Sequence, residues 1–278
     1  MSIVISSNLS LSGAESSLTL DHPVIGWQNL ATVSNMTANI SSDPNHPDDN
    51  LANPATHLYW SPIGPQGGYS YVGIDPLGTA DDVDYVGIAG HNLGSIGSSV
   101  LVGWIDFLVS PPAFMPLVSE FMPGGDGPII ARWTAQSLPN IYIGFGPSSL
   151  TIKVATIYAG KLLVLPRKLY QGMGPINYGR VAKVTNGRSE AGNFLGRIVT
   201  QEFVKNSVPL SLIPPDYFRD HIADFLADSK ENPFFFAWRP QSYPDEVGYC
   251  HMTNDPFPTN EPPHGLISMT MEMTGIVK

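Results

Sequence analysis

Cysteine is almost missing from this chain. Cys250 is the single one in 278 residues, so no internal disulfide can form and the fold must rest on packing. Charge is scarce as well: 14% of residues are Asp, Glu, Lys or Arg, against ~25% in ordinary globular domains. Basic residues are absent from positions 1–150 apart from Arg132, while that half holds 12 Asp and Glu. A phosphate backbone would be repelled by such a surface, which argues against nucleic acid as a partner. Long apolar runs are lacking too. Nothing approaches the ~20 residues needed to span a bilayer, and M-S-I-V-I-S-S-N has neither the basic start nor the apolar length of a signal peptide. Synthesis in the cytoplasm without membrane insertion is the expectation.

Turn-formers, by contrast, are plentiful: 27 Gly and 26 Pro, with 42% hydrophobic residues to build a core. Short apolar or alternating segments lie between them. Tyr69–Ile74 stops at Asp75-Pro76-Leu77-Gly78, Tyr85–Ala89 at Gly90-His91-Asn92-Leu93-Gly94, and Val100–Trp104 follows a Ser/Gly turn. Further strands are expected at Ser2–Ser6, Ile129–Thr134, Asn140–Phe145, Thr151–Tyr158, Tyr178–Thr185, Asn193–Val204, Phe234–Trp238, Val247–Met252 and Gly265–Gly275. Val24-Ile25-Gly26-Trp27 reads as the start of a sandwich, and Asn186-Gly187 as a tight hairpin turn. Strands this short and closely spaced predict an all-β fold. One helix interrupts them near 215–228, where Phe218, Ile222, Phe225 and Leu226 form a single apolar stripe. Asp216, Asp220, Asp224 and Asp228 line another face, read as solvated.

The charge asymmetry divides the chain. Residues 151–278 carry 13 Lys and Arg against 12 acids, nine of the 13 falling between Lys153 and Lys205. The expected organisation is an N-terminal arm at 1–19, a β-sandwich at 20–160, and a second β-rich sandwich-like domain with the helix at 161–278. The basic segment could meet the acidic half of a neighbouring copy, head to tail.

Chemistry-bearing groups are few. No nucleophile elbow, P-loop or dinucleotide fingerprint is present. His46, His57, His221, His251 and His264 lack zinc spacing. Cys250 and His251 are neighbours on a strand and point to opposite faces, which rules against a dyad. Asp81-Asp82-x-Asp84 lacks the grammar of a calcium loop, and 24 acidic residues single out no glycosidase pair. No catalytic residue, metal or cofactor is expected, and the chain reads as no enzyme. Trp60, His91 and Asn92 are the candidate sugar site, with Gly90–Gly94 as a fixed turn the competing reading. The Pro- and Gly-rich stretch 107–128 is unusually long and apolar for a loop. Its Phe107, Phe114, Met115, Phe121 and Met122 are the candidate interface, together with the arm.

The pattern N-P-A-T-x-x-x-W, an acidic turn, and a strand ending A-G-H-N-L-G-S-x-G resembles the galactose-binding-like (discoidin-type) jelly roll of structural proteins in tailed-phage tails. The C-terminal order of strand, helix, P-F-F-F-A-W-R-P and V-G-Y-C-H-M resembles distal tail and tail-tip proteins. The resemblance implies a virion component of the distal tip or baseplate, joined to copies of itself and to other phage tail proteins. A carbohydrate-binding module for a host-surface glycan is the alternative, and a polysaccharide hydrolase a third.

Overall fold

The computed structural model describes residues 2–11, 18–77, 82–169, 172–262 and 265–276. The described residues are mainly β, with short helical turns at Asp48–Ala52, Leu93–Ile96 and Ile176–Tyr178 and one longer helical segment after residue 214. In chain order the strands are β1 (Ile3–Ile5), β2 (Val24–Gly26), β3 (Met36–Ala38), β4 (Ser70–Ile74), β5 (Val83–His91), β6 (Val100–Asp106), β7 (Ala113–Pro116), β8 (Ile129–Gln136), β9 (Ile141–Phe145), β10 (Val154–Gly160), β11 (Leu163–Val164), β12 (Arg180–Arg188), β13 (Phe194–Ile213), β14 (Phe234–Ala237), β15 (Val247–Met252), β16 (Thr259–Glu261) and β17 (Leu266–Ile276). They form an outer sheet ordered β3-β4-β9-β6-β7, a middle sheet ordered β1-β8-β5-β10, and a C-terminal sheet ordered β11-β2-β14-β15-β17-β13-β12, with β16 on β17.

The outer and middle sheets make the first sandwich. Val72, Ile74, Val102, Ile143 and Phe145 meet Val86, Ile88, Trp133 and Ile157 in one core. Alternation along β4 and β9 sends every second residue inward, as expected for sheets with one covered face. The middle sheet is covered on both faces. Tyr85, Ala89, Ile130 and Tyr158 point the other way and pack on Val24, Phe235, Ala237 and Tyr249 of the C-terminal sheet. The uninterrupted apolar run Tyr85–Ala89 is therefore a strand buried on two sides. Gly87 leaves room for the Phe235 ring, which would lie 2.6 Å from an added Cβ.

The far face of the C-terminal sheet takes the helix. Pro215–Tyr217 and Ala223–Asp228 are α-helical around a π-helical turn at Phe218–Ile222. Ile222 and Phe225 are buried against Phe234, Phe236 and the Met269, Met271 and Met273 row of β17. Phe225 meets Phe234 edge-on at 5.1 Å. Burying each such ring stabilises by roughly 1.5–3 kcal/mol. The stripe of apolar residues thus faces inward and Asp216, Asp220 and Asp224 face water.

Three expectations change. Val24–Gly26 does not open the first sandwich but pairs with β11 and β14 in the C-terminal sheet. The N-terminal arm is tied to its own chain, where Ile3–Ile5 runs parallel to Ile130–Arg132. Asn186-Gly187 is not the hairpin turn, since Asn186 pairs with Arg197 and Gly187 with Gly196. The chain reverses at Ser189–Asn193, where the Ser189 N–H donates to the Asn193 carbonyl and Gly192 takes the left-handed φ of 81°. Strand pairing continued through Arg188 outweighs the local preference of Asn-Gly.

Candidate functional site

Trp60, His91 and Asn92 do converge, because Trp60 and His91 both lie opposite Val154. They converge inside the protein. Trp60 is fully buried, its ring against Phe145 at 5.9 Å and its indole N–H donating to Ser42 Oγ at 2.9 Å. No face is left on which a pyranose could stack. His91 is buried between two backbone partners: Nε2–H donates to the Gly127 carbonyl at 2.8 Å, and Nδ1 accepts the Leu93 N–H at 3.3 Å. Burial pushes its pKa down to about 4, so the ring is neutral at physiological pH. Asn92 clamps the neighbouring loop, giving Nδ2–H to the Thr151 carbonyl and taking the Lys153 N–H on Oδ1. The sequence expectation of a sugar site here is corrected: these side chains hold the turn after β5.

Asp84, Asp48, Asp43 and Cys250 are likewise in structural service. Asp84 is buried and accepts the Leu162 N–H at 2.7 Å, which anchors the crossing from the middle sheet to the C-terminal sheet. Asp48 accepts the Ala38 N–H, and Asp43 accepts that of Asn45. Cys250 is buried in apolar surroundings that push its thiol up to about 12. Asp81 and His264 lie outside the described residues. Among the described residues no group of three His, Cys, Asp or Glu side chains could hold a metal ion.

The apolar stretch 107–128 is divided by the fold. Leu117 and Val118 enter the sandwich core and Phe121 packs against it, bridging to Val100. Phe114 lies across Gly103 and beside Tyr71 at 6.1 Å. Phe107, Met115 and Met122 remain exposed, with Leu108 and Val109 at the tip of the β6–β7 hairpin. So the interface candidates separate into two packed aromatics and three free side chains.

The surface with a chemistry of its own is the solvent face of the outer sheet, which sequence reasoning missed. Tyr71 on β4 lies opposite Gly144 on β9, and Tyr142 on β9 opposite Gly73 on β4. Each tyrosine leans over the facing glycine: a Cβ at Gly144 would sit 2.8 Å from the Tyr71 ring, and one at Gly73 2.6 Å from the Tyr142 ring. Phe114 covers Gly103 in the same way. Tyr69 stacks beside Tyr71 at 5.9 Å. The rings therefore lie along the sheet and turn a face outward; none belongs to a hydrophobic core. At the edge of this platform Glu120 accepts Tyr69 O–H and Ser99 O–H, both at 2.5 Å. Those two donors hold its carboxyl below the usual range. The signal available in the sequence was the Y-V-G on β4 set against Y-I-G on β9, legible only once the two strands are known to be neighbours.

No described protein family matches the sequence, and no curated protein matches it. Solved structures do resemble the fold. A chitosan-binding module from Paenibacillus sp. IK-5 is 13% identical over 48% of this chain and 99% of its own, with a TM-score of 0.39. A CBM32 module of Clostridium perfringens in complex with GalNAc-β-1,3-galactose is 12% identical over 48% of this chain and 100% of its own, with a TM-score of 0.38. A GH29 fucosidase of Ruminococcus gnavus is 17% identical over 48% of this chain, with a TM-score of 0.39, and the match spans 26% of the fucosidase. Carbohydrate-binding modules recur among the neighbours, each over 48% of this chain.

Proposed function

We propose that this chain is a non-catalytic binding protein that takes a saccharide on the solvent face of its outer sheet. The observation that carries the reading is the platform of Tyr69, Tyr71, Tyr142 and Phe114 laid over three glycines. The electron-rich face of an aromatic ring suits the C–H face of a sugar ring, and ionised Glu120 at the margin can accept sugar hydroxyls. Rings already held against the backbone lose little freedom on binding, which favours affinity. The similar carbohydrate-binding modules fit this reading, although a shared fold by itself assigns no ligand.

The test is a glycan array followed by titration calorimetry on the best hit. Tyr71→Ala and Tyr142→Ala should each weaken binding by roughly 3- to 10-fold, at ~0.5–1.5 kcal/mol per ring contact. Retained affinity in both variants, or an array without hits, would overturn the proposal. A second reading, a structural component of a phage tail, is supported by the A-G-H-N-L-G resemblance and by the β12–β13 hairpin that leaves the body of the protein. Detection of the chain in purified particles tests it.

A further inference from the structure

The β12–β13 hairpin is a ribbon without a floor. Among the described residues, strand β13 pairs with β17 only from Val204 onward; before that residue its partner there is β12, the last strand of the sheet. Nine residues of β12 at ~3.3 Å each carry the ribbon about 30 Å. Its apolar side chains stand in water: Phe194 is 67% exposed, Leu195 69%, Ile198 68% and Val199 54%. The pairing register puts Val184, Val199 and Phe194 on one face and Val181, Phe203 and Ile198 on the other, so both faces are apolar in part. A two-stranded hairpin open on both faces is marginal in water and gains its stability from a third layer. Its free edge also invites pairing.

Charge identifies the occupant. Residues 180–205 carry five Lys and Arg against Glu190 and Glu202, with Arg180 matched to Glu202 at 3.3 Å. Residues 1–150 carry 12 acids and one base, Arg132, which is buried. The acids left at the surface of the first sandwich, Glu120 of the platform margin aside, include Asp43, Asp49 and Asp106. Two ribbons laid together would set like charge against like. We infer that the ribbon docks on the acidic first sandwich of a second copy of this chain. Such a contact joins two different surfaces, so it repeats from copy to copy and closes into a ring or extends as a filament. The inference is independent of the saccharide platform and gives the assembly reading its contact.

The experiment is sedimentation of the full chain at about 0.05 M and 0.5 M salt, where screening separates charged contacts from apolar ones. The wild type should sediment as three or more copies at low salt and shift toward one copy at high salt. The triple variant Lys183→Glu, Arg188→Glu, Arg197→Glu should remain a single copy at both, with an unchanged circular dichroism spectrum. A second variant, Phe194→Ser with Ile198→Ser, should do the same. Carbodiimide cross-linking of mixed light and heavy copies should join Lys183 to acids of residues 43–126 of another copy. Wild-type mass in both variants, or cross-links from ribbon to ribbon, would overturn the docking while leaving assembly intact. A wild type that stays a single copy at every concentration would overturn both.

Discussion

Two strands of nine residues mark the extremes of this molecule. Strand β5, V-D-Y-V-G-I-A-G-H, is buried along nearly its whole length, and β12, R-V-A-K-V-T-N-G-R, is exposed along nearly its whole length. Both hold valines, and both contain a glycine near the end. What separates them is the number of layers they meet. The outer sheet lies on one face of β5 and the C-terminal sheet on the other, whereas β12, among the described residues, has one neighbouring strand and no sheet above or below. A strand's length and composition therefore say little about its role; the layers stacked on it decide whether a residue contributes to folding or waits for a partner.

The contrast can be broken most directly with phenylalanine. Phe235→Ala empties the space above Gly87 and should cost about 3–5 kcal/mol in urea unfolding, while Phe194→Ala on the ribbon should change stability by less than about 0.5 kcal/mol. Equal costs would mean that the ribbon is packed. Next in size is the acid response of His91 at the end of β5. Its folded pKa of about 4 lies below the ordinary ~6.5, so the unfolded chain binds a proton first. Stability is full above pH ~6.5 and is lost as pH falls toward 4, by roughly 3 kcal/mol. Urea midpoints across that window measure it, and His91→Gln should remove this part of the slope. The smallest effect is a change of sign. Gly87→Ala drives a methyl into Phe235 and should destabilise by about 1–3 kcal/mol. At Gly187 the nearest atom is 3.5 Å away, so Gly187→Ala should stabilise by up to about 1 kcal/mol through the unfolded chain.

Much of the strand content was legible in the sequence because period-two alternation and aromatic density are local. The helix was legible for the same reason, its stripe at Ile222 and Phe225 being a short-range pattern. Sheet membership was not. Nothing around Val24-Ile25-Gly26 says that it pairs with residues more than two hundred positions later. The Pro-rich stretch 107–128 concealed β7, because Ala113–Pro116 is a strand only by virtue of β6. Trp60 was misread since an indole in a turn-rich segment looks the same from the sequence whether it stacks on a ligand or fills a core. The tyrosine platform needed strand order, as each ring and its glycine lie about seventy residues apart.

One stitch has a consequence for how the chain comes into being. Backbone N–H groups of Ser2 and Ile3 donate to the Pro244 carbonyl, and Asp21 is held by the Arg239 guanidinium and by Ser242. Residues 2, 3 and 21 thus have their docking points more than two hundred positions further along the chain. An incomplete chain would hold a sandwich whose middle sheet still shows Tyr85, Ile130 and Tyr158 to water. Closure over such sequence distances is slow, and a nascent polypeptide of this kind has reason to be shielded by a chaperone until Phe235 and Tyr249 have been made.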